Sequence, residues 1–156
     1  MKTRYVKNND LDKIKNFFVS SYSEKTVFQD KEFLSWYFSS LDSDKSIMKK
    51  CIISQSDDGR IISFYGGLQR YLKLGDKSIP FVWGVNAYTL PKWRGKGLNG
   101  SIVKQLMENN EINGVIGMNY KTAQYYVNVG YNMFNLMTFD RYVLVLNKKT
   151  FDIIKN

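Results

Sequence analysis

The feature that most restricts the fold of this chain is a change of hydrophobic period at Pro91. Upstream, apolar residues come in short runs separated by turn residues: Cys51 to Ser54, the turn Asp57-Asp58-Gly59, Ile61 to Leu72, the turn Gly75-Asp76, then Ile79 to Thr89. Short runs bounded by such turns predict an antiparallel meander. Downstream the order becomes loop, helix, strand, helix, strand. Leu98, Ile102, Val103, Leu106 and Met107 trace a helical face, Gly114 to Met118 form a short apolar strand, Thr122 to Val129 give a second helix stopped at Gly130, and Tyr131 to Leu146 alternate as strands. The fold class is therefore α/β (α+β) with a mixed sheet.

The N-terminal third agrees with this class. Thr3 to Val6 reads as a first strand, and Asn8-Asn9-Asp10 supplies a turn and a cap before a helix from about Leu11 to Ser21, with Leu11, Ile14, Phe17 and Phe18 at helical spacing. A second helical pattern, Phe33, Leu34, Trp36 and Tyr37, follows the Asp30 cap, and the polar stretch SSLDSDKS closes it. Gly66-Gly67 inside a strand reads as a bulge, a close backbone approach or a plain weak spot. No repeat, low-complexity segment or linker divides residues 1–156, so one domain is expected. The end, KKTFDIIKN, reads as a helix start, either a terminal cap or a continuation after 146.

Composition excludes several chemistries. Histidine is absent, which removes Ser-His and Cys-His catalysis and His-based metal sites, and leaves proton transfer to Tyr, Asp, Glu or water. The single cysteine, Cys51, opens an apolar alternation and reads as a buried strand residue. Apolar runs fall well short of the roughly 20 residues that span a bilayer, and MKTRYVKNND carries no apolar signal core, so a cytoplasmic protein without membrane contact is expected. Twenty-three Lys and Arg against fourteen Asp and Glu give a formal charge of +9. Such a field suits a polyanionic partner. No helix shows a basic face and no aromatic RNA-binding motif occurs, which favours a phosphate-bearing small molecule over nucleic acid.

The candidate chemistry lies in TLPKWRGKGLNGSIVKQLMEN, where a strand passes through a basic, glycine-containing turn into a helix. Gly95 and Gly97 let the backbone turn several N–H groups one way, and the helix that follows adds its free N–H groups and positive dipole end. Lys92, Arg94 and Lys96 surround the turn with charge. The segment reads either as a cradle for a pyrophosphate or as a solvated basic loop. It lacks the GKS/T ending of a Walker loop, and the antiparallel strands before it argue against a dinucleotide fold. A second element follows the strand VIGM: in NYKTAQYYVNVGYNMF, Asn119, Tyr126, Gly130 and Tyr131 stand at offsets of zero, seven, eleven and twelve.

This second pattern resembles the signature of the GNAT N-acetyltransferases, in which Asn begins a helix, Tyr sits two turns later, and the helix ends at Gly followed by Phe or Tyr. RGKGLN resembles the same family's coenzyme loop, R/Q-x-x-G-x-G/A, with Arg94 and Gly97 in place. The motifs span roughly residues 83 to 131 in the family's order and at its usual separation, and the strand-helix-helix-meander order of the first eighty residues agrees with it. Two departures stand out: Asn99 where Gly or Ala is usual, and Thr122 where the second helix usually has Ala.

The resemblance implies a mostly antiparallel sheet of about seven strands flanked by about four helices, with a V-shaped splay between the strands at 81–89 and 114–118. It implies acetyl-CoA as co-substrate, no metal, and a small-molecule amine as acceptor, in a monomer or a homodimer. The coenzyme would meet Ala87, Tyr88 and Thr89 along the splayed strand, Arg94, Gly95, Lys96, Gly97, Leu98 and Asn99 at its pyrophosphate, and Asn119 and Tyr126 on the second helix. A backbone N–H between Asn86 and Tyr88 would polarise the thioester carbonyl. Tyr126 would be the general acid for the leaving thiolate, the competing reading being a core tyrosine. Asn119 would anchor the pantetheine arm, cap its helix, or do both. FVWGVNAYT carries no carboxylate, so the general base is water held by Asn86 or Tyr88, Asp140, Glu32, or bulk solvent. Trp36, Tyr37 and Asn86 are the candidates for acceptor binding, the two aromatics also fitting a core stripe. The expected activity is acetyl transfer to an amine, that of a nucleotide-linked amino sugar or another small metabolite. The alternatives are a protein or peptide amine, or a coenzyme-binding module without catalysis.

Overall fold

A computed structural model describes residues 1–22, 25–39, 48–109, 112–115 and 117–133. Among these, five strands form one sheet in the order β1-β2-β3-β4-β5: β1 (Lys2–Tyr5), β2 (Ile52–Gln55), β3 (Ile61–Leu74), β4 (Lys77–Thr89) and β5 (Asn113–Val115). The first four pair antiparallel, and β5 joins β4 in parallel. Four helices complete the described fold: α1 (Leu11–Ser21), α2 (Lys31–Tyr37), α3 (Leu98–Glu108) and α4 (Tyr120–Asn128). The mixed sheet is as expected, but five strands are described where about seven were anticipated; the strands expected between Tyr131 and Leu146, the helix start at the C-terminus and Asp140 lie mostly or wholly outside the described residues.

Strand alternation sorts apolar residues between two layers. Ile53 and Phe64 point to a core formed with Ile14, Phe17 and Phe18 of α1 and with Leu34 and Phe38 at α2. Their neighbours Ile52 and Tyr65 point the other way, against Ile102 and Leu106 of α3. A period of two in the strands and of about 3.6 in the helices is all this division requires. Cys51 is fully buried in the first core, and burial pushes its thiol up to about 12, which removes it from thiolate chemistry.

Local signals fix most element ends. Asp30 caps α2, its Oδ1 accepting from the N–H groups of Glu32 at 2.8 Å and Phe33 at 3.1 Å. Asp10, expected to cap α1, makes no side-chain cap there. Its carboxylate is buried and accepts instead from both terminal nitrogens of Arg4, at 2.6 and 2.8 Å, and from the Lys7 N–H at 2.8 Å. The strand expected over 114–118 is described over Asn113–Val115, and Gly117 turns the chain at φ +70. Gly67 answers to a close approach: a Cβ there would run into the backbone carbonyl of Lys50.

Candidate active site

Pairing between β4 and β5 lasts three residues, Val82 with Asn113, Trp83 with Gly114 and Gly84 with Val115, and then ends while β4 continues to Thr89. Just beyond that point β4 is irregular. Phe64 of β3 faces Tyr88 and Gly66 faces Val85, so two residues of β4, Asn86 and Ala87, oppose the single residue Tyr65. Asn86 takes φ +52, a left-handed conformation that asparagine tolerates better than most side chains. Side-chain direction records the extra residue: Val85 and Tyr88 both pack on the α1/α2 core although an odd separation would put them on opposite faces of a regular strand.

The parting of the two strands opens a cavity of about 580 Å³. One wall is β4 from Trp83 to Ala87 with Leu68 behind it; the other runs from Val115 through Gly117 and Met118 to Asn119, Thr122 and Tyr126 of α4. None of these lining residues carries a charge. Among the described residues no group of carboxylates and cysteines could hold a metal ion, and no helix is long and apolar enough to cross a membrane.

Asn119 caps α4, its Oδ1 accepting from the Thr122 N–H at 2.9 Å and from the Thr122 hydroxyl at 3.0 Å. The threonine at the position expected to be alanine thus completes the cap. Tyr126 is 4 % exposed, with its ring edge-on to Tyr131 at 5.0 Å. Burial raises its phenol above the ordinary value, and the neighbouring Asn99 side chain offsets part of the rise. Tyr126 is therefore a neutral donor across the physiological range. Asn99, the unusual residue of the loop, brings the start of α3 near this hydroxyl, a proximity that no local pattern announces.

The loop itself is built as its glycines require. Gly95 and Gly97 take φ +75 and +72, and nothing lies within 4 Å of where a Cβ would stand on either. No side chain caps α3, whose first backbone bond is Ser101 N–H to the Gly97 carbonyl at 3.0 Å, so the preceding N–H groups of the turn have no helical acceptor. Arg94 holds the turn to the end of β4: its Nε donates to the Thr89 carbonyl at 3.0 Å, and its guanidinium lies 5.3 Å from the centre of the Tyr88 ring. Lys96 lies over Trp93 at 4.5 Å.

On the opposite side of β4, the Asn86 side chain lies near Tyr22, at the end of α1, and Tyr22 packs 5.6 Å from Tyr88. Burial raises the Tyr22 phenol, the neighbouring Asn86 offsetting part of it. Of the sequence candidates, the structure brings Asn86, Ala87, Asn119 and Tyr126 to the cavity wall, and sets Tyr88, Thr89 and the 94–99 turn beyond its edge. Trp36 and Tyr37 are not on that wall. Tyr37 packs against the α1/α2 core, and Trp36 is 70 % exposed. Glu32 lies exposed in the first turn of α2.

No protein-family model matches the chain, and no curated protein matches it in sequence. Solved structures do match it in shape. An acetyltransferase described as putative from Agrobacterium tumefaciens superposes with a TM-score of 0.66 at 14 % identity, over 91 % of this chain and 100 % of that one. Glucosamine-6-phosphate N-acetyltransferase from Arabidopsis thaliana gives 0.64 at 14 %, over 91 % and 98 %. An aminoglycoside N-acetyltransferase solved in complex with CoA gives 0.58 at 16 %, over 92 % and 100 %. The order of elements, the parting of β4 from β5 and these likenesses together give the chain the GNAT acetyltransferase fold.

Proposed function

We propose that the protein is an acetyl-CoA-dependent N-acetyltransferase acting on a small amine. The observation that carries this reading is one cleft with the irregular backbone at Asn86 and Ala87 on one wall and Tyr126 on the other, and the uncapped start of α3 lying beyond its edge. The unpaired edge of β4 from Ala87 to Thr89 can hydrogen-bond the amides of a pantetheine arm, with Asn119 at the opposite side. A pyrophosphate fits the turn Arg94, Gly95, Lys96, Gly97, Leu98 and Asn99, where free N–H groups, two cations and the helix dipole coincide.

Acetyl-CoA supplies the activated acetyl group, and the chain's residues do the rest. An N–H between Asn86 and Tyr88 donates to the carbonyl oxygen as negative charge develops on it. Tyr126 donates its proton to the leaving thiolate, and Asn99 keeps the phenol oriented for it. The amine's own proton leaves through water held by Asn86 or to bulk solvent, since the described lining residues include no carboxylate. An amide and free CoA result.

For the acceptor we favour an amino sugar carrying a phosphate or nucleotide. A chain of formal charge +9 repels a polycationic amine, and the described wall residues, all uncharged, offer such a molecule no compensating carboxylate. Asn86 is the acceptor-facing residue of this proposal; Trp36 and Tyr37, off the wall, have no part in it. The lack of a carboxylate among the described lining residues also favours a second reading, a domain that binds the coenzyme without catalysis. A thermal-shift titration and thiol release against amines, phosphorylated amino sugars, nucleotide sugars and peptides test both. At a hundredfold excess over Kd, acetyl-CoA should stabilise by about 2.7 kcal/mol, several degrees for a chain of this length. No stabilisation defeats both readings, whereas stabilisation with no thiol release from any acceptor supports the second.

A further inference from the structure

Tyr65 is fully buried, yet its hydroxyl has no hydrogen-bond partner among the described residues. A phenylalanine would fill the same space without stranding a polar oxygen, and buried hydroxyls are rarely left so. Its position is particular. Tyr65 is the single β3 residue that faces the irregular pair Asn86 and Ala87. Its side chain crosses over β4 and ends above Gly84, where an added Cβ would meet the tyrosine Oη, and its Cζ at 2.7 Å. That same point lies 2.5 Å from a methyl of Val115. Gly84 and Val115 form the last rung of the β4/β5 ladder and both belong to the cavity wall. The hydroxyl therefore stands immediately behind the apex of the cleft, at the end of the β4/β5 ladder as the described residues show it.

We propose that the Tyr65 hydroxyl is a second hydrogen-bond donor to the acyl carbonyl, reached when an acyl-coenzyme fills the cleft and eases the Gly84–Val115 rung apart. The inference rests on the acetyltransferase reading above. A thioester oxygen has two lone pairs: the backbone N–H between Asn86 and Tyr88 serves one, and the Tyr65 hydroxyl, over Gly84 two residues before Asn86, serves the other. Burial holds the Tyr65 phenol far above its ordinary range, so it stays protonated and can only donate to such an oxygen. Tyr65 is then the residue that distinguishes an acylated coenzyme from the free thiol.

The test uses the full chain, Tyr65→Phe, and two ligands, acetyl-CoA and CoA, in calorimetric titrations beside a thermal melt of the free proteins. We expect the variant to bind acetyl-CoA about three- to tenfold more weakly, the value of one neutral hydrogen bond, with CoA affinity unchanged within twofold. The free variant should melt at the wild-type temperature or above it, because the substitution removes a stranded hydroxyl. Equal changes for the two ligands, or none for either, would overturn the proposal. So would a variant that melts lower, since the hydroxyl would then have a partner in the free protein. Failure of the wild type to bind either ligand overturns the acetyltransferase reading itself and this inference with it.

Discussion

Gly59 and Gly97 offer a matched pair for testing the coenzyme loop. Both take left-handed backbone, φ +79 and +72, and neither has an atom within 4 Å of where a Cβ would stand. Alanine at either site therefore meets the same penalty, left-handed strain of about 1 kcal/mol, with no collision added. In a chain of this length that lowers the melting temperature by roughly 2–4 °C. The two sites differ in what faces them. Gly59 lies in the turn between β2 and β3, while Gly97 starts α3 beside the N–H groups assigned to the pyrophosphate. A methyl group and a shifted φ at Gly97 should disturb one such charge-assisted hydrogen bond, worth about 1.5–3 kcal/mol, or about ten- to a hundredfold in acetyl-CoA affinity. Calorimetric titration of Gly97→Ala, Gly59→Ala and wild type, with melts run alongside, gives both numbers. Similar melting losses with acetyl-CoA affinity spared only in Gly59→Ala would bear the reasoning out. Wild-type affinity in Gly97→Ala would refute it.

Two further outcomes are expected. Tyr126→Phe should keep acetyl-CoA affinity and lower kcat by roughly ten- to a thousandfold in thiol-release assays with a working acceptor, and a wild-type rate with chemistry limiting would remove Tyr126 as the acid. Arg4→Met should cost about 3 kcal/mol in urea unfolding at neutral pH by leaving the buried Asp10 carboxylate without its partner; the Arg4 hydrogen bond holds that carboxyl below its ordinary 3.8, so the stabilisation is present above that value and fades as pH falls through the lowered folded value, and a mutant deficit that stays constant down to acid pH would contradict it.

What could be read from sequence was what sits close together along the chain. The turn at 94–99 and the Asn119 cap declare themselves through glycine spacing and a side chain three residues from its partner, because a helix start is a local event. The contacts that finish the cleft depend on register between distant strands and on how layers pack. Asn99 reaches Tyr126 across α3 and α4, Tyr22 reaches Asn86 from α1, and Tyr65 crosses β4 at a place chosen by the pairing of β3 with β4. Asp10 shows the limit from the other side: its position suggested a cap, but Arg4, brought near by the β1 turn, offered its carboxylate a stronger partner. The aromatic run at Trp36 and Tyr37 suggested a binding wall, and α2 instead turns Tyr37 inward toward Phe28 and Phe38 and leaves Trp36 in solvent.

The extra residue at Asn86 and Ala87 has a consequence for how β4 will respond to mutation. Polar substitutions scanned along a regular strand alternate between tolerated and damaging with a period of two. In β4 that rhythm should slip phase at Asn86, so that odd positions before it and even positions after it answer to the same core, as Val85 and Tyr88 do. A single-residue deletion at Asn86 or Ala87 would restore an unbroken rhythm, but it would rotate Tyr88 out of the α1 packing and draw the Thr89 carbonyl away from Arg94. The strand should therefore accept many exchanges of side chain and very few changes of length.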